Sequence, residues 1–198
     1  MRQFGSSGFR LWNLGAEAKV LYTAFCVLTL LGVVSSALFY LDLVGTGTRG
    51  IRRYYAGETE TAAAEAPAAG PALDLPPGEA REHAPLVVAV SYRKLLEVTH
   101  FHLFTMPVVL LIVGHLFLAT GVSDALKRGF IIGGAASVAL HLATPWLVRS
   151  FPSLALLHAV SGMALTVTMT VLTLVPVASM WLGPGRNRGP ARPAPPAA

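Results

Sequence analysis

Apolar residues in this chain do not alternate with polar ones; they come in long runs. Four mostly apolar stretches stand between polar segments, at about 19–44, 95–120, 129–147 and 153–182. About 20 such residues are what an α-helix needs to cross the hydrocarbon of a bilayer. Lipid offers no partner to a free peptide group, so each run is expected to be helical. The pattern predicts an all-α integral membrane protein: a four-helix bundle with one long flexible loop between helices one and two.

The polar segments complete the organisation. Residues 1–18 precede the first run, and residues 45–94 form the one long connection. That connection opens on Gly50-Ile51-Arg52-Arg53-Tyr54-Tyr55, whose arginines and tyrosines suit the headgroup layer. From Glu58 to Glu82 it is rich in alanine, proline and glutamate and reads as linker. A short third loop spans Pro145 to Pro152, and residues 183–198 read as a disordered tail. Residues 19–182 are thus one membrane domain. Val34-Ser35-Ser36-Ala37 resembles a cleavage site, but the first run exceeds the roughly 7–15 apolar residues of a usual leader. It is expected to stay as an anchor.

Composition agrees with a bilayer solvent. Only 13% of residues are charged, against about 25% in soluble domains, which need a charged surface. A net charge of +5 raises nucleic acid as a partner. The basic residues, however, sit at the ends of apolar runs rather than in a stripe, which fits membrane orientation and no nucleic acid. With four spans, the termini and the second loop share a side, holding Arg2, Arg10, Lys19, Lys127, Arg128, Arg186, Arg188 and Arg192. The other side holds Arg49, Arg52, Arg53, Arg81, Arg93, Lys94 and Arg149. Charges in a long loop count for less, so the termini are expected in the cytoplasm of a bacterium, with the chain multi-pass in its inner membrane.

The candidate chemistry lies in the histidines. His83 falls in the linker, but His100, His102, His115, His141 and His158 all fall within spans. Ionisable residues in a membrane are costly and usually functional, although an imidazole can also simply hydrogen-bond between helices. At about 100° per residue, His100 and His102 point to nearly opposite sides, so one should face the bundle and the other lipid. His141 and His158 flank the third loop and should share a depth, with His102 within about 5–8 Å of that level. In a simple ring of four helices, two and four are diagonal and leave room for a macrocycle. His102 with His158 is therefore the preferred axial pair for a haem, with His141 beside them, or as a ligand if the ring order differs. Zinc, copper or iron is the rival, since imidazole suits all three, but no His-x-x-x-His or Glu-x-x-His spacing supports it.

Other features carry less. Cys26, the one cysteine, has no partner for a disulfide, and no CxxCH motif attaches a c-type haem. Glu97 reads as an interfacial carboxylate paired to Arg93 or Lys94. Met106-Pro107 reads as a packed kink, and the threonines of the fourth run as bonded to their own helix. No nucleophile triad, P-loop or dinucleotide fingerprint supports hydrolase or kinase chemistry.

The segment Thr99-His100-Phe101-His102-Leu103, followed by Gly114-His115, resembles the His-x-His-Leu helix of haem-bearing membrane proteins. These include the NnrS-like proteins and, more loosely, relatives of haem-copper oxidase catalytic subunits. The resemblance implies a haem or metal ligand at His102 or His100, with His115 a further candidate. The whole chain also resembles small four-span bacterial proteins with a Leu-Leu-Glu-Val-Thr-His-x-His-Leu-Phe segment and a later Pro-Trp-Leu-Val-Arg. It lacks the many spans and copper-site histidines of an oxidase, so oxygen reduction by this chain alone is not expected. The expectation is a b-type cytochrome-like subunit carrying haem b, which passes electrons between quinol and a partner such as a periplasmic cytochrome. The alternative is a cofactor-free structural or assembly subunit of a larger respiratory-type complex.

Overall fold

A computed structural model describes residues 10–57 and 88–183. The linker reading of Glu58 to Glu82, His83 and the tail beyond Gly183 lie outside the described residues. Among the described residues five α-helices follow in order: α1 (Ala16–Val44), α2 (Thr48–Ala56), α3 (Tyr92–Leu118), α4 (Asp124–Ser150) and α5 (Ala155–Leu182). All but α2 are long and apolar enough to cross a membrane, and no strand occurs among the described residues. The protein is an all-α, four-span membrane bundle whose outer faces contact lipid.

Local chemistry sets the helix ends. The Ser91 hydroxyl accepts from the Lys94 amide and caps α3. Asp124 opens α4 beside its positive end, and α1 stops at Gly45, whose φ of +74° suits glycine. The sequence boundary at 147 is too short, because α4 continues through Pro145 to Ser150. Proline has no amide to give the carbonyl four residues back. That carbonyl, on His141, takes its hydrogen bond from the Thr144 hydroxyl instead, at 3.1 Å.

The bundle is not the simple ring that places helices two and four on a diagonal. α5 stands at the centre and packs on α1, α3 and α4 alike. At Gly134 of α4 the three inner spans converge: a Cβ there would stand 3.1 Å from Leu110 of α3 and 3.2 Å from Thr168 of α5. The bare backbone is what lets them close. Val113, Phe117, Val138, Leu165, Met169 and Leu172 fill the core around this point. α1 is peripheral, with Cys26 and Val44 its buried residues.

Each end of the bundle has its own closure. At one, Arg10 Nη1 donates to the Thr120 carbonyl at 2.7 Å and the Leu11 amide to the Ala119 carbonyl, which folds the chain before α1 over the α3–α4 loop. At the other, the basic, amphipathic α2 turns Ile51 fully inward among Val44, Val148 and Ala155. There the Val90 amide donates to the Tyr54 carbonyl, and Arg149 donates to the Val90 carbonyl.

Candidate functional site

α4 and α5 run antiparallel, and each carries a histidine with a hydroxyl three residues on: His141-Leu142-Ala143-Thr144 and His158-Ala159-Val160-Ser161. Turned against each other, the two motifs bond crosswise. His158 Nδ1 lies 2.8 Å from the Thr144 hydroxyl, and His141 Nδ1 lies 3.2 Å from the Ser161 hydroxyl. The imidazoles stack, with centroids 4.8 Å apart and planes 18° from parallel. Gly162 makes the room, since a Cβ there would press to 3.1 Å from His141 Cε1.

The carbonyl bonds of the two hydroxyls favour one tautomer. A carbonyl can only accept, so Thr144 gives its single proton to the His141 carbonyl, which Pro145 has deprived of an amide. The Thr144 oxygen is then the acceptor and His158 Nδ1–H the donor. Ser161 likewise donates to the His158 carbonyl at 2.9 Å and accepts from His141 Nδ1. With both hydroxyls donating to backbone carbonyls, each imidazole donates from Nδ1, and in the neutral ring that leaves the lone pair at Nε2. That of His158 is the more enclosed: the residue is 2% exposed, and its Nε2 is buried without a hydrogen-bond partner among the described residues. An unfilled acceptor is cheaper to bury than an unfilled N–H, which favours the same tautomer.

Two phenols close the site toward the near face of the bundle. The Tyr55 ring of α2 stands edge-on to His158 at 5.1 Å, and Tyr40 of α1 lies at 6.2 Å. Burial, and then the neighbouring Tyr54 and Tyr40 hydroxyls, push the Tyr55 phenol above its ordinary range, so it stays a neutral donor.

The other sequence candidates lie elsewhere. His102 is exposed, its Nδ1 donating to the Val98 carbonyl at 2.8 Å. His100 is exposed as well and packs on Phe104 at 5.1 Å; neither one faces the bundle. The first half of α3 meets its neighbours mainly through Leu95, which is buried, and Thr99, which accepts from Trp146 Nε1 at 2.9 Å. Both histidines therefore fall outside the seam. His115 is exposed too, with Nδ1 donating to the Leu111 carbonyl. Glu97 pairs with Lys94 at 3.3 Å on the surface.

The expected axial pair, His102 with His158, is not assembled. His158 is ringed by α1, α2 and α4, not by the helix bearing His102, and α3 packs directly on α5 with no diagonal gap. His141 and His158 are stacked face to face rather than opposed across an iron. A haem held between two of these imidazoles does not fit this arrangement. Among the described residues, no group of three or more histidine, cysteine or acidic side chains could hold a metal ion. Sequence reasoning missed Thr144, Tyr40 and Tyr55. The repeated His-x-x-Thr and His-x-x-Ser across a short loop was the available signal.

A family model, Aq_1264_TM, described as a transmembrane helical domain, matches residues 45–187. The chain belongs to that family. The Aq_1264_TM segment begins at the turn before α2 and takes in α2 to α5, so the histidine pair, both hydroxyls and Tyr55 lie within it, while α1 and Tyr40 do not. No curated protein and no solved structure matches the chain.

Proposed function

We propose that the chain is the membrane subunit of a quinol-linked electron-transfer complex, with the His141–His158 pair binding and deprotonating the quinol. The observation that carries this is the buried Nε2 of His158, which has no hydrogen-bond partner among the described residues and, in the tautomer favoured above, can accept from a hydroxyl. A quinol hydroxyl is a donor on a flat ring that can lie against Tyr40 and Tyr55. Oxidation releases protons and electrons in equal number. The imidazoles take the protons at Nε2 and hand them to water at the near membrane face. The two electrons leave one at a time for a one-electron acceptor on a partner, such as a periplasmic cytochrome, which is reduced twice for each quinol oxidised to quinone. The Tyr55 ring turns aside to admit the quinol, while buried Ile51 holds α2 in place.

In this reading the electron-transfer role suggested by the histidines rests on imidazole rather than on a haem b in this chain. The setting is a bacterial inner membrane with the termini in the cytoplasm and the histidine end outward. The resemblance to NnrS-like and oxidase helices attaches to His100 and His102, which lie outside the pair. Those exposed histidines and the peripheral α1 favour a second reading, a cofactor-free structural or assembly subunit that seats partner helices there.

The test is a fluorescence titration of the detergent-purified protein with a short-chain ubiquinol, with a dithionite-reduced minus oxidised spectrum of the same sample. Saturable binding is expected, weakened roughly tenfold by His158→Ala, as for one buried hydrogen bond, and unchanged by His102→Ala. A b-type α-band lost in His102→Ala would overturn the proposal in favour of haem. Folded protein with neither binding nor absorbance would leave the assembly subunit.

A further inference from the structure

α2 is held in two different ways along its length. Its first half is fixed by packing: Gly50 lies so close to the Val44 carbonyl that a Cβ would overlap it, and Ile51 is fully buried among Val44, Val148 and Ala155. Its last turn, which carries Tyr54 and Tyr55, is held by polar bonds. The last carbonyls of a helix find no amide within that helix. The Arg53 carbonyl is met by the Gly57 amide, but that of Tyr54 takes the Val90 amide from the approach to α3, at 3.0 Å. The Val90 carbonyl in turn accepts from Arg149 Nη1, in the last turn of α4. A guanidinium donor makes this the stronger kind of hydrogen bond. Val90 thus ties the end of α2 to the end of α4.

Position gives the tie its meaning. Tyr55 directly follows Tyr54, and its ring stands edge-on both to Tyr54 at 4.9 Å and to His158 at 5.1 Å. It covers the residue whose Nε2 is buried without a partner among the described residues. We infer that Arg149 is a positioning residue: acting through Val90 and Tyr54, it holds Tyr55 over His158 and so governs how readily a ligand reaches the imidazole pair. The inference rests on the proposed function in taking that pair as a ligand site. Its test contains no quinol, so it can fail while quinol binding stands, or hold where quinol binding fails.

The test is timed labelling of the detergent-purified full chain with diethyl pyrocarbonate, a small reagent that acylates bare imidazole nitrogens, read histidine by histidine by peptide mass spectrometry. Cys26, fully buried in the cluster with Leu11 and Met180 at the other end, reports global opening through its labelling by a maleimide. In the parent, His158 should label far more slowly than exposed His102. Arg149→Gln should speed His158 roughly tenfold, as for one hydrogen bond holding a closed state, with Cys26 unchanged. Val90→Pro, which deletes the amide and keeps the carbonyl, should do the same and serves if Arg149→Gln does not fold. On a Tyr55→Ala background, where the cover is already gone, Arg149→Gln should add nothing. A His158 rate that neither strap variant moves would overturn the inference, as would an additive gain on the Tyr55→Ala background. A joint rise of His158 and Cys26 would also overturn it, by making Arg149 a general stabiliser of the bundle.

Discussion

Two pairs of histidines, His141 with His158 and His100 with His102, show how differently the same side chain can be used in one bundle. The first pair comes from two antiparallel helices, is cross-bonded through Thr144 and Ser161, and has its Nδ1 protons fixed. The second comes from two neighbouring positions of one helix and lies on an exposed face, with His102 turned back to its own backbone and His100 against phenylalanine. What separates them is the seam, not the residue type. A histidine in the α4–α5 contact is positioned by hydroxyls across the interface, whereas one on the open half of α3 meets lipid. Family membership runs the same way along the chain, since the matched segment contains both pairs and so does not itself choose between them.

The comparison can be broken by mutation. His158→Ala should have the largest effect, about 2–4 kcal/mol of stability, because it opens a cavity and strands the Thr144 oxygen. His102→Ala should stay within about 0.5 kcal/mol. Thermal or chemical unfolding in detergent would check both, and equal losses would refute the contrast. Next comes Gly162→Ala, about 1–2 kcal/mol by crowding His141. That loss should shrink when His141→Ala is added, as a double-mutant cycle reads directly. Thr144→Val follows at about 1 kcal/mol, leaving His158 Nδ1–H unpaired. Thr105→Val on the exposed half of α3 should cost less, because its hydroxyl bonds only within the helix.

The smallest effect concerns pH. The Tyr55 phenol titrates higher in the folded protein than in the unfolded chain, so its stabilising contribution is complete below about pH 10, the ordinary phenol value. It is lost as pH rises from there toward the folded value. Tyr55→Phe should flatten that alkaline loss, and an unchanged slope would remove Tyr55 from the explanation.

Most of the fold was legible because the bilayer makes crude demands: length and apolarity sufficed for α1, α3, α4 and α5, whereas the short helix α2 has no such signal. The end of α4 is not legible, because Pro145 signals a loop in sequence while in the fold Thr144 supplies the hydrogen bond the proline cannot. The site was half legible. Equal depth for His141 and His158 follows from spacing alone. Which helices face which does not, because that depends on three-way contacts such as Leu110, Gly134 and Thr168. With α5 at the centre rather than in a ring, the partner of His158 changed from His102 to His141. The glycine spacing of Gly45, Gly47 and Gly50 carries no dinucleotide site, since it follows a membrane helix rather than the strand that such a turn requires.

The most direct test of the account is a nitrogen-15 spectrum of histidine-labelled protein in bilayers, recorded with and without a short-chain ubiquinol and assigned with His158→Ala and His102→Ala. The account predicts a neutral His158 with Nδ1 protonated, whose bare Nε2 resonance moves when the quinol is added while that of His102 stays. A His158 already protonated at Nε2, or a response confined to His102, would contradict it.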